Sequence, residues 1–107
     1  MSETFYIKQN DTSPALRYAL IPTVNLTGAS VVFNMRPRGS TTVKVSRQTA
    51  TVVAPATSGI VEYSWAAADT DTMGDYEAEF EITYSDATVE TFPNASYIAV
   101  KVTDDIA

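Results

Sequence analysis

The densest group of chemistry-bearing residues is a row of four carboxylates set two residues apart: Asp75, Glu77, Glu79 and Glu81. Alternate residues of an extended strand share a face. Neighbouring members of such a row stand roughly 7 Å apart, at a rise near 3.3 Å per residue. Paired carboxylates do the work of glycosidases, and clustered oxygens bind hard cations. A glycosidase pair also needs one carboxyl shielded from water so that it keeps its proton. Four like charges on one wet face do not supply that shielding. The row is expected to be a solvated sheet face, which also discourages edge-to-edge pairing.

Other candidate chemistry is thinner. Asp69-Thr70-Asp71-Thr72 and Asp104-Asp105 offer oxygens without the spaced ligand pattern of a calcium loop. The first is expected to be a capped turn, because Asp and Thr side chains accept from nearby backbone N–H groups. The chain has neither His nor Cys. The commonest general base is therefore missing, as are thiolate nucleophiles, disulfides and thiolate metal sites. No serine sits in a Gly-x-Ser-x-Gly elbow, and no Gly-rich phosphate loop exists. The expectation is no catalytic residue, no cofactor, no metal and no enzyme activity.

Two further groups of residues suit protein contacts. Arg36, Arg38, Lys44 and Arg47 fall across one predicted hairpin of an otherwise acidic chain with formal net charge −6. They are candidate interface residues, opposite in sign to Glu77, Glu79 and Glu81. The two groups are expected to meet between copies or each to meet a separate neighbour. Phe5 and Ile7, on one face of a short terminal strand, are candidates for edge addition to a neighbouring sheet. The acidic balance argues against nucleic acid. No apolar run is long enough to span a membrane. The aromatics Tyr63, Trp65, Phe80, Tyr84 and Tyr97 are expected to form the core and its rim.

The elements that must position these residues are strands. The clearest is 75–84, where Tyr76, Ala78, Phe80, Ile82 and Tyr84 alternate with the acidic row, a period of two with one buried face. Similar alternation predicts strands at 4–9, 15–21, 29–36, 42–53, 59–65, 88–92 and 96–103, with turn formers between them. A bulge is expected near Arg47-Gln48, where the alternation shifts phase. Residues 66–71 read as a single helical or 3₁₀ turn. At 107 residues the chain is one domain. The predicted core holds Phe33, Val61, Trp65, Tyr76, Phe80, Ile82, Ile98 and Val100.

Thr72-x-Gly74-x-Tyr76 resembles the start of the F strand of immunoglobulin-like sandwiches, where a Tyr closes a tyrosine corner. The wider sequence resembles the phage baseplate upper protein N-terminal domain family. The likeness begins at Phe5-Tyr6-Ile7-Lys8-Gln9-Asn10-Asp11-Thr12-Ser13-Pro14-Ala15-Leu16, an apolar strand, a Lys-Gln-Asn-Asp-Thr turn and a Pro-x-Leu strand. It continues through 24–36, 59–65, 69–71 and 74–80, and ends at 91–94 and 97–100. The resemblance implies an immunoglobulin-like antiparallel β-sandwich of seven to nine strands. It further implies a non-enzymatic virion protein of a tailed bacteriophage, made in the host cytoplasm and attached at a baseplate or tail fibre. Its implied partners are other virion proteins in a symmetric, multi-copy assembly. Capsid decoration or a head fibre is the alternative within that class, and a module that binds host-surface glycans is the alternative outside it.

Overall fold

The computed structural model describes residues 4–106. Eight strands run in the order β1 (Thr4–Lys8), β2 (Leu16–Ala19), β3 (Ser30–Pro37), β4 (Val45–Val52), β5 (Ile60–Tyr63), β6 (Gly74–Thr83), β7 (Val89–Phe92) and β8 (Ile98–Thr103). The expected all-β fold is what the structure shows, and the strand count falls inside the expected range. Two 3₁₀ turns, Ala56–Ser58 and Ala67–Thr70, complete the regular structure. The second lies on the stretch where the sequence predicts one.

In space the strands follow the path β1-β8-β6-β3-β4-β5-β2, with β7 also on β6. The sheet curls until it is nearly a barrel. β6 is its centre. β3 pairs along its whole length, from Ser30 opposite Thr83 to Pro37 opposite Tyr76. On its other edge β8 covers residues 74–78 and β7 covers 80–83. Pro93 lies between those two strands, and a residue without an N–H cannot continue a ladder.

One pairing departs from the expected antiparallel scheme. β1 runs parallel to β8, with Phe5 opposite Val100 and Ile7 opposite Val102. Parallel neighbours require a connection that crosses the fold, and here β1 and β8 are separated by nearly the whole chain. Local alternation carries no information about such a partner.

β4 belongs to both halves of the wrap. Its first part pairs with β3, and Thr51 and Val52 pair with β5. The register against β3 shifts between Phe33 and Met35, and Arg47 takes φ +49°. This is the bulge that the sequence predicts. It lets both Val45 and Ala50 point inward although they are an odd number of residues apart, as one inserted residue must. The Arg47 N–H is met by Asn34 Oδ1 at 2.8 Å. The predicted strand 42–53 starts late, at Val45, and Val43 lies outside it and half-exposed.

All eight predicted core residues are buried, Phe33, Val61, Phe80 and Ile82 completely. Phe33 stacks on Tyr63 at 4.2 Å between ring centroids and meets Phe80 at 5.1 Å and the edge of Trp65 at 5.6 Å. Leu16, Leu20, Leu26, Met35, Val45 and Phe92, outside the predicted core, are equally enclosed.

Candidate functional site

The outward residues of β6 and its neighbours form one charged face. The strict alternation of β6 puts Asp75, Glu77, Glu79 and Glu81 on it, and the register with β3 brings Arg36 opposite Glu77. Arg36 Nε donates to Glu77 Oε1 at 3.2 Å. The bulge aims Arg47 at the same face, where its Nη1 meets Glu81 Oε1 at 2.6 Å. Lys101 of β8 stands 3.9 Å from Asp75. Glu79 alone in the row has no ion-pair partner among the described residues.

The acidic row and the basic group therefore meet inside one molecule at two points, Arg36–Glu77 and Arg47–Glu81. The expectation from the sequence is a meeting between copies, or a separate neighbour for each group. Residue order does not reveal that β3 and β6 are neighbours in this register. Lys44 leaves the group altogether and pairs with Asp71. Arg38 is exposed at the β3–β4 turn, its backbone N–H bonded to the Asp75 carbonyl at 2.9 Å. It has no ion-pair partner among the described residues.

Tyr97 closes one side of the face, a role that its sequence did not signal. The Arg36 guanidinium lies 5.0 Å from its ring centre and donates to its hydroxyl at 3.0 Å. Hydrogen bonds to Glu77 and Tyr97 hold the Arg36 pKa above its ordinary value. Between these groups lies a cavity of about 180 Å³ walled by Asn34, Val43, Glu79 and Tyr97. A sugar platform needs a free aromatic face, and the guanidinium already occupies one face of Tyr97.

A second, wider cleft of about 760 Å³ lies between the ends of the strand path. Phe5 and Thr4 of β1 face Leu16 and Tyr18 of β2 across it, with Ile21, Pro93 and Tyr97 on its rim. Phe5 is half-buried and stacks on Trp65 at 5.8 Å. Ile7 is buried in the molecule's own core. Of the two terminal-strand candidates for an interface, only Phe5 keeps an accessible side chain.

The Asp69 stretch is the capped turn that its residue types predict. Asp69 Oδ2 accepts from the Ala66 N–H at 2.8 Å and from the Tyr63 hydroxyl at 2.6 Å. Burial, then the bond to Asp69, pushes the Tyr63 pKa well above that of a free phenol. Thr70 is fully buried, and its hydroxyl donates to the Asp11 carbonyl at 2.8 Å, tying the β1–β2 loop to this turn. The bond from Lys44, helped by Thr72, draws the Asp71 pKa down. Among the described residues no three carboxylates are grouped to hold a metal ion, and no helix is long and apolar enough to cross a membrane.

No protein-family model matches this chain, and no curated protein matches it.

Proposed function

We propose that the chain is a non-enzymatic structural protein of a tailed bacteriophage virion, a baseplate or tail-fibre attachment component that acts through protein–protein contacts. The observation that carries the reading is the ordered resemblance from Phe5 to Val100. Its pieces fall on successive elements: β1 with the start of β2, then β3, β5, the Ala67–Thr70 turn, β6, and β7 with β8. The Tyr76 hydroxyl donates to the Thr72 carbonyl at 2.7 Å, the bond of the tyrosine corner that Thr72-x-Gly74-x-Tyr76 resembles.

The chemistry of the surface agrees with a contact role. Its most organised region is an array of paired charges on a rigid sheet, and such arrays orient partners and select among them.

The test is location. Virions that carry an epitope tag on this protein are labelled with gold and imaged in negative stain. Label at the tail end supports the proposal. Label spread over the head makes the protein a decoration component instead, and purified particles that carry no label remove it from the virion.

A further inference from the structure

The outer face of β3 and β6 holds four carboxylates, Asp75, Glu77, Glu79 and Glu81. Arg36 of β3, Arg47 of β4 and Lys101 of β8 bring cations to it, and Arg38 follows two residues beyond Arg36, exposed at the end of β3. With Arg38 counted, these four carboxylates and four cations carry no net charge. The remaining nine carboxylates and three cations of the chain hold the whole −6. Two like-charged copies repel each other through those other surfaces. At this face they meet without that repulsion.

Two of its charges, Arg38 and Glu79, lack an ion-pair partner among the described residues. They are opposite in sign and placed reciprocally. The bond from the Arg38 N–H to the Asp75 carbonyl puts Arg38 at the level of Asp75. Glu79 lies four residues further along β6, about 13 Å away at the rise of a strand. The Arg36–Glu77 pair sits halfway between them. Consider a two-fold axis in the plane of the face, crossing the strands at Arg36–Glu77. It brings Arg38 of one copy to the Asn34–Glu79 level of the other, beside Glu79 and one strand spacing of about 5 Å from it, and the reverse. This is the reciprocity that an isologous contact requires.

Glu79 also borders a cavity, and the apolar parts of its wall, Val43 at 50% and Tyr97 at 39% exposure, supply contact area that charges alone lack. At about 180 Å³ the cavity is smaller than the roughly 300–1,000 Å³ of small-molecule sites. It suits one long side chain.

We propose that this face is a two-fold self-association surface, with the Arg38 side chain of each copy seated beside Glu79 of the other. The inference rests on the reading of the chain as a multi-copy contact protein, and it names the partner and the face. Sedimentation of the full chain over a range of concentrations tests it. The expected result is a monomer–dimer equilibrium that R38E and E79R each abolish and that R38E combined with E79R restores. Melting curves check that each variant is folded. Because the chain has no Cys, oxidation of an R38C/E79C variant gives a second readout. The two positions are about 13 Å apart within a copy, beyond the roughly 7 Å Cα reach of a disulfide, so a covalent dimer must form between copies. A wild-type chain that stays monomeric overturns the proposal. So does a dimer indifferent to both reversals, which would place the contact elsewhere, such as the β1–β2 cleft. A folded double variant that fails to regain association overturns it as well. None of these outcomes touches the virion reading, which the location of the label decides.

Discussion

Tyr76 joins a core position to a backbone tie. Its ring is buried on β6 while its hydroxyl reaches back to Thr72, holding the 3₁₀ turn against the strand that follows. Tyr76→Phe keeps the ring and deletes the bond, so unfolding in urea should show a loss of about 0.5–1.5 kcal/mol. No change would mean that water satisfies the Thr72 carbonyl equally well. Phe80 is a packing residue only. It is completely enclosed and touches Phe33 and Tyr18. Phe80→Ala should cost about 3–5 kcal/mol in the same measurement, and a loss below about 1 kcal/mol would take Phe80 out of the centre.

At the scale of the element, β1 is the strand whose role changes most. As an unpaired edge it would be dispensable for folding. In the structure it is paired to β8 along its length, with Ile7 inside the core. Ile7→Ala should therefore lower stability by about 2–5 kcal/mol, and removal of residues 1–9 should unfold the domain. A folded truncated chain, shown by an intact melting transition, would return β1 to the role of a docking strand. The junction into β5 depends on backbone shape. Gly59 takes φ +66°, and a Cβ there would stand 3.0 Å from the Val24 carbonyl oxygen. Gly59→Ala adds left-handed strain of about 1–2 kcal/mol to that clash, and a drop in melting temperature is the expected readout.

For the whole molecule, the shifted groups set a window of pH. Asp71 and Asp86 are drawn below their usual range, Asp71 mainly by Lys44 and Asp86 mainly by Thr88. A carboxylate with a lowered folded pKa contributes stability above its unfolded value, near 3.9, and loses it as pH falls through the folded value. Tyr84 is the opposite case. Burial, then its bond to Glu90, pushes it up to about 12. Its contribution is complete below the unfolded value near 10 and is lost as pH rises toward 12. The melting temperature should stay level between these limits and fall on both flanks. Asp71→Asn should flatten the acid flank, and an unchanged acid flank in that variant would show that Asp71 does not contribute to it.

The all-β class, the alternating faces, the predicted core, the Arg47 bulge and the Asp69 turn were legible from residue order. Each depends on contacts within a few positions: a period of two, a phase shift, a side chain that accepts from its own turn. The partners of the charges were not legible. Arg36 belongs to Glu77 and Arg47 to Glu81 only because β3 lies beside β6 in one register and because the bulge re-aims Arg47, and Lys44 meets Asp71 across 27 positions of sequence. Residue order marks the faces of a strand, but its neighbours depend on how the whole set of apolar faces closes on itself. That closure decided the parallel β1–β8 pair, took Ile7 into the core, and left Arg38 and Glu79 as charges without an ion-pair partner among the described residues.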